Sequence, residues 1–254
     1  VPSFNCGLTD NYRSRENYHR YKMSKYPRIV GSRNPAAATQ LCVILDLDSC
    51  VLHTMPEETE KLRDKVLVDP KLMEVRSRLY QFDLYDSSSL MGQGDKESYW
   101  GLFRPHLQEF MLFLFSHCAT VCFWSAAQRP YVDECVAKIC RTRQPYVIMN
   151  HDDVVYLPNG NYHKPLSKVI ALDPVNIRLD NCIFIDDKGD NFITAMQNGI
   201  TIPEYSPRAT ESAVRVDDIA LLQIRQWMLS DPVLKAKDIR TVDKSRIFFT
   251  PLRK

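Results

Sequence analysis

Three runs of branched and aromatic residues, "LCVILDL" (41–47), "ATVCFWS" (119–125) and "NCIFIDD" (181–187), limit what this chain can fold into. Each has the length and composition of a strand buried on both faces. Stretches with helical spacing lie between them. In "RPHLQEFMLFLFSH", Pro105 sits where a starting helix loses nothing by a missing N–H. Leu107, Phe110, Met111, Leu114 and Phe115 then recur at helical intervals. "AAQRPYVDECVAKIC" predicts a helix after a turn at Pro130, "YVIMN" a short strand, and "KPLSKVIAL" the start of a further helix. "NFITAMQNG" predicts a helix closed by Gly199, and "ITIP" a last strand. "DDIALLQIRQWML" predicts a helix with Asp217 as its cap and with Leu221, Leu222, Ile224 and Trp227 facing inward. This alternation argues for an α/β fold: a mostly parallel sheet with helices on both faces.

In such a sheet, reactive groups gather outside the carboxyl ends of the strands. Asp46 and Asp48 follow the first run, Ser125 the second, and Asp186 with Asp187 the third, while "HKPL" delivers Lys164. Asp46, Asp48 and Asp186 brought together in a cleft would repel strongly, so a hard divalent cation is their natural guest. Oxygen donors with few imidazoles or thiols favour Mg²⁺ over zinc. A cation, a lysine and a hydroxyl together suit a phosphoryl group. One carboxylate would attack phosphorus, and a second, two residues on, would protonate the leaving oxygen and then activate water. That spacing serves both roles if the backbone leaves the strand direction after Asp46.

The ends of the chain differ from its middle. Residues 11–33 carry seven Lys/Arg against one Glu, and 235–254 carry seven against two Asp, in a chain of 254 residues with net charge +2. The expected organisation is a basic N-terminal arm (1–38, with "GSRNPAAATQ" as linker), a domain over 39–230 with an insertion at 54–98, and a basic C-terminal segment (231–254). The arms are either solvated tails or surfaces for nucleic acid or an assembly partner. Within the insertion, "PEETEKLRDK" is helix-compatible, "SRLYQFDLY" reads as a strand and "DSSSLMGQGDKE" as a turn. Together they make either a small subdomain or a pair of strands with a loop. No apolar run is long enough to span a bilayer. The chain opens on Val without a secretory apolar segment, as a trimmed piece of a longer protein would. Its eight cysteines lie mostly inside apolar runs and read as free thiols of a reducing compartment. His117, Cys118 and Cys122 read as core packing rather than a zinc site.

"ILDLDSCVLH" resembles motif I of the haloacid dehalogenase (HAD) superfamily of phosphatases. "GLFRPHLQEF", "VCFWSAAQRPYVDE", "HKPLSKV" and "IFIDDKGDNFITAMQNGITI" are similar to the FCP/SCP-type phosphatases of the RNA polymerase II C-terminal domain. They are most similar to the branch with a ubiquitin-like-domain nuclear phosphatase. The resemblance covers roughly residues 41–229 and implies a Rossmannoid three-layer sandwich with a small insertion in place of a large cap. It implies Asp46 as nucleophile and metal ligand, and Asp48 as acid/base, lending the metal its carbonyl. Ser125 would bind phosphate, Lys164 would neutralise the phosphoaspartate, and Asp186 and Asp187 would complete the Mg²⁺ site, with Asn191 fixing their loop. The substrate implied is phosphoserine or phosphothreonine of a protein, in nucleus or cytoplasm. Arg104, Gln128 and Arg129 lie beside the motifs, where they would meet phosphate or an acidic flank unless they are ordinary surface residues. Cys50 departs from the usual Thr, sometimes Val, and a thiol donates weakly, so reduced but real activity is expected. Superfamily members also occur in large DNA viruses. The alternative is therefore a nucleocapsid or nucleic-acid-associated assembly protein of the virion, with a weak or idle site.

Overall fold

The computed structural model describes residues 28–85, 96–158, 160–249 and 252. Strands β1 (Arg28–Ile29), β2 (Thr39–Leu45) and β3 (Leu52–Thr54) come first. Helices α1 (Glu60–Val68) and α2 (Met73–Ser77) precede β4 (Leu79–Tyr85) and β5 (Lys96–Phe103). Then follow α3 (Leu107–His117), β6 (Cys118–Trp124), α4 (Arg129–Cys140) and β7 (Val147–Met149). The hairpin β8 (Val155–Tyr156) and β9 (Tyr162–His163) leads to α5 (Leu166–Ile170), β10 (Cys182–Asp186) and β11 (Gly199–Thr201). The last helices are α6 (Glu211–Val214), α7 (Ala220–Met228) and α8 (Asp231–Leu234).

The main sheet has the order β1-β7-β6-β2-β10-β11, with every pair parallel except the β1–β7 edge. Side chains alternate across the central strand. Val43 and Leu45 enter one core with α3, α4 and α7, while Cys42 and Ile44 enter the other with α5 and Phe192. The result is the expected three-layer α/β sandwich. All three long apolar runs lie at its centre and end at one edge of the sheet.

The insertion resolves into the small-subdomain alternative. β3, β5 and β4 form an antiparallel sheet, with Val66 of α1, Leu72 of the 3₁₀ turn that follows and Val75 of α2 buried against Trp100 and Leu102. Of the expected turn at 86–97, only Lys96 and Glu97 are described, as the start of β5.

Two local expectations are corrected. Residues 189–198 form 3₁₀ turns with non-helical breaks at Phe192 and Ala195, not one α-helix. Gly199 has φ −80°, so it is no left-handed cap. Its missing side chain makes room for a ring instead, since a Cβ there would stand 2.0 Å from Phe192. Ahead of α7 the capping carboxylate is Asp218, which accepts from the Ala220 amide at 3.0 Å, whereas Asp217 meets the His106 ring.

The ends described here lie on the body. Ile29 pairs with Val147 at the sheet edge, and Asn34 donates to the Phe115 carbonyl. The rest of the basic arm, 1–27, lies outside the described residues. In the C-terminal segment Ile239 and Ile247 are buried, Lys235 pairs with Asp231, Arg240 with Asp238, and Lys244 sits over the Trp227 ring. The seven described cysteines are buried free thiols. Cys118 and Cys122 belong to different core clusters, as packing residues would. Among the described residues, no helix is long and apolar enough to cross a membrane.

Candidate active site

β2 carries Asp46 to the carboxyl edge of the sheet, where its amide donates to the Ile185 carbonyl at 3.0 Å. The chain then turns at once. The amides of Cys50, Val51 and Leu52 all reach the Leu47 carbonyl, at 3.2, 2.9 and 3.1 Å, and Ser49 takes a φ of 59°. That left-handed residue turns the following chain back over Leu47, so that the backbone leaves the strand just past Asp48.

Arg104 fastens the turn. Its guanidinium, 0% exposed, donates to the Cys50 and Pro203 carbonyls at 2.8 Å each and to both oxygens of Asp218. This corrects the expected phosphate or acidic-flank contact for Arg104, which is buried and gives four hydrogen bonds to main chain and Asp218. Arg129 likewise pairs within its own helix, with Asp133 at 3.1 Å. The Cys50 thiol is buried and reaches the Ile185 carbonyl at 3.6 Å, a weak bond that Arg104 backs up.

Lys164 enters between β9 and α5, and its amide is held by the Asn191 carbonyl at 2.7 Å. Its ammonium donates to Asp46 Oδ1 at 2.6 Å and to Asp186 Oδ2 at 2.8 Å, and all three groups are buried. Asn191 also donates its amide to both Asp186 oxygens at 2.8 Å, and the Lys188 amide adds a third bond at 2.9 Å. The broken 3₁₀ segment is what lets one asparagine serve the lysine with its carbonyl and the aspartate with its side chain.

Burial raises Asp46 to about 8, because the attraction of Lys164 does not outweigh desolvation together with the Asp186 charge. Burial pulls the other way on Lys164, but the two carboxylates overcome it and hold the ammonium above its ordinary range. One lysine charge faces two buried carboxylates, which leaves a place for a further cation.

One oxygen each from Asp46, Asp186 and Asp187 lie within 4.8 Å of one another. Three hard oxygens without thiol or imidazole among them suit Mg²⁺. Ser125 is buried just past β6, and its hydroxyl oxygen accepts from the Ala127 amide at 3.0 Å, which leaves its proton free to donate. The Asp48 carboxylate stands apart from the three-carboxylate cluster and accepts from the Tyr131 hydroxyl at 2.5 Å. Burial raises its pKa, and that hydrogen bond opposes the rise.

Asp46, Asp48, Ser125, Lys164, Asp187 and Asn191 all line one cavity of about 180 Å³. Ser49, Tyr162 and Lys188 line it too and went unnoticed in the sequence. In the sequence Tyr131 stands out only as part of its helix. Its signal was position: it lies in the first turn after the Ser125 loop, where a helix start meets the reactive edge of the sheet.

A family model described as NLI interacting factor-like phosphatase matches residues 41–240. A ubiquitin-like domain-containing CTD phosphatase of Arabidopsis thaliana is 26% identical over 153 residues, covering 57% of this chain and 43% of that protein. Fission yeast RNA polymerase II CTD phosphatase Fcp1 bound to beryllium fluoride has the same fold, with a TM-score of 0.52 and 20% identity. The match covers 82% of this chain and 48% of that one. A second structure of Fcp1, an essential RNA polymerase II CTD phosphatase, gives 0.51 and 20% over 87% of this chain and 55% of that one. The chain thus spans about half the length of the relatives it matches. With the family model spanning most of its length and the acidic edge built as described, the chain belongs to the NLI interacting factor-like phosphatases of the HAD superfamily.

Proposed function

We propose that this protein is a Mg²⁺-dependent phosphomonoester hydrolase that works through an aspartyl-phosphate, with phosphoserine or phosphothreonine of a protein as substrate. The observation that carries this reading is the buried Asp46–Lys164–Asp186 bridge, with Asp187 beside it. Asp46, Asp186 and Asp187 would hold the cation, with the Asp48 carbonyl as a further ligand. When bound, Mg²⁺ would draw off charge from the phosphoryl oxygens and keep Asp46 ionised.

A carboxylate oxygen of Asp46 attacks phosphorus. As that P–O bond forms, the bond to the leaving oxygen breaks, and Asp48 gives that oxygen its proton. Asp48, now ionised, takes a proton from water. The water oxygen attacks phosphorus, the bond to Asp46 breaks, and inorganic phosphate leaves. Lys164 stabilises the charge on the acyl-phosphate oxygens, and Ser125 donates its hydroxyl to the phosphoryl group. A protein substrate is supported by the insertion, which sends Tyr80 and Phe82 into the core of the body rather than forming a large cap.

Phosphate release from a phosphoserine peptide with Mg²⁺ tests this reading. Asp46→Asn should lower the rate by at least about a hundredfold. Release that ignores Mg²⁺, or an unchanged rate in the variant, would overturn it. The alternative of a nucleic-acid-associated or assembly role draws on the charge pattern of the ends alone. It gains ground only if removal of residues 1–27 weakens binding to an anionic polymer in a salt-dependent way.

A further inference from the structure

Beside the cavity, polar groups from four parts of the fold form one line. Asp48 follows β2, Thr54 ends β3, Tyr80 lies on β4, and Tyr131 stands in the first turn of α4. The Tyr131 hydroxyl donates to Asp48 Oδ1 at 2.5 Å and meets Thr54 Oγ1 at 2.5 Å, and Thr54 Oγ1 meets the Tyr80 hydroxyl at 2.7 Å.

The last contact crosses a strand. Thr54 and Tyr80 pair with opposite sides of Gly101 on β5. A Cβ on Gly101 would stand 2.5 Å from the Tyr80 hydroxyl and 2.3 Å from the His53 carbonyl. The glycine is the gap through which Tyr80 reaches Thr54. The rings cannot drift far: Tyr80 packs on Phe103 at 4.8 Å between centroids, and Tyr131 on Tyr99 and Phe82 at 5.5 and 5.8 Å.

Proton counting gives the line a direction. Oδ1 of Asp48 carries no proton whether the group is ionised or protonated on Oδ2, so Tyr131 donates to it. Its oxygen is then free to accept from Thr54, and the Thr54 oxygen from Tyr80. Each bond polarises the next toward Asp48. Three mutually satisfied hydroxyls would be ordinary core furniture. Here they end on the carboxylate that the reaction needs, and they occupy just one of its two oxygens.

We propose that Tyr131, backed by Thr54 and Tyr80, is a positioning residue that holds Oδ1 of Asp48, so that Oδ2 alone exchanges the proton with leaving group and water. The inference rests on the phosphatase reading above. In the first step Oδ2–H breaks and the proton goes to the leaving oxygen. In the second, Oδ2 receives a proton from water, while Oδ1 keeps its bond to Tyr131 throughout.

The test exploits the leaving group. A serine alkoxide needs its proton as the P–O bond breaks, whereas p-nitrophenolate leaves without one. Tyr131→Phe should lower kcat on a phosphoserine peptide by about tenfold or more, a fraction of what a general acid contributes. Phosphoenzyme formation, read as the pre-steady-state burst, should slow by less than about threefold on p-nitrophenyl phosphate but about tenfold on the peptide, while hydrolysis of the phosphoenzyme slows alike from either substrate. Thr54→Val should act in the same direction but more weakly. Equal slowing of phosphoenzyme formation on the two substrates, or no slowing on the peptide, would overturn the inference.

A second readout is independent of turnover. The Tyr131 hydroxyl proton should give a far-downfield ¹H resonance in the wild-type protein. Tyr131→Phe should abolish that resonance and Thr54→Val should shift it, while crystals of Tyr131→Phe show Asp48 in more than one orientation. A single unchanged Asp48 orientation in Tyr131→Phe would reject the positioning role. Wild-type protein inert toward both substrates would instead bring down the phosphatase reading, leaving the resonance and the Asp48 orientation to decide what Tyr131 holds.

Discussion

Lys164 replaces, in this site, what water would do for two carboxylates. It is 1% exposed and donates to Asp46 and Asp186, each buried at the end of its strand. Removing one member of a buried ion pair leaves uncompensated charge and costs about 3–5 kcal/mol. Lys164→Met should therefore destabilise the metal-free protein by about 3 kcal/mol, read by chemical denaturation. It should also widen the stabilisation gained from Mg²⁺, because the freed carboxylates have no other cation, and ligand binding adds stability as RT ln(1 + [L]/Kd). An equal Mg²⁺ response in both proteins would show that these carboxylates do not hold the ion. At this scale the site was largely legible in the sequence. Asp46, Ser125 and Asp186 follow from asking which residues end buried runs, Lys164 from the separate segment "HKPL", and the structure brings Asp46, Lys164 and Asp186 into contact. Tyr131 was hidden because its role depends on Thr54 and Tyr80, which an unpredictable antiparallel sheet brings to it. Arg104 was misjudged for a related reason. A sequence shows a charge beside a motif, but not that its guanidinium finds carbonyls and a carboxylate in the interior.

At the scale of elements, the buried runs gave themselves away because a strand covered on both faces carries no charged residue until it ends. The segment 189–198 had a helical pattern and still did not form one α-helix. Its residues answer to tertiary partners: Phe192 packs on Phe184 with centroids 5.9 Å apart, and Asn191 must reach both Lys164 and Asp186. Local periodicity cannot announce such a compromise, whereas the close approach at Gly199 can be tested. Gly199→Ala would set a methyl 2.0 Å from Phe192, with the strand pairing of Gly199 to Phe184 limiting retreat. Overpacking of this kind costs about 1–3 kcal/mol. Because Asn191 neighbours Phe192, the variant should lose phosphatase turnover beyond its loss of stability. Thermal denaturation and kcat measured on the same sample check both. A variant as stable as wild type would mean that the ring has room that the packing denies.

For the whole molecule, the question is where the folded body begins. The sequence suggested residue 39, because "GSRNPAAATQ" has the composition of a linker and the next residues start the apolar run. The structure carries the body back to Arg28. Val30 donates to the Tyr146 carbonyl at 2.9 Å, Arg33 reaches Asn176 at 2.5 Å, and the Asn34 amide meets the Ala119 carbonyl at 2.8 Å. Gly31 passes so close to the chain that a Cβ would meet the Pro145 carbonyl at 2.4 Å. A linker composition and a tightly laid edge segment look alike in sequence, because both favour small residues and turns. They differ in what happens when they are cut away. A chain starting at Thr39 exposes the free edge of β7 and loses these bonds, each contributing about 1 kcal/mol net. Compared with a chain starting at Arg28, it should melt roughly 5 °C or more lower, given about 2–4 °C per kcal/mol for a domain of this size. The pair should also differ in amide exchange at Val147 and Ile148, whose strand β1 covers. Equal melting temperatures and equal exchange would place the start of the cooperative unit at the first long strand and make the β1 pairing incidental.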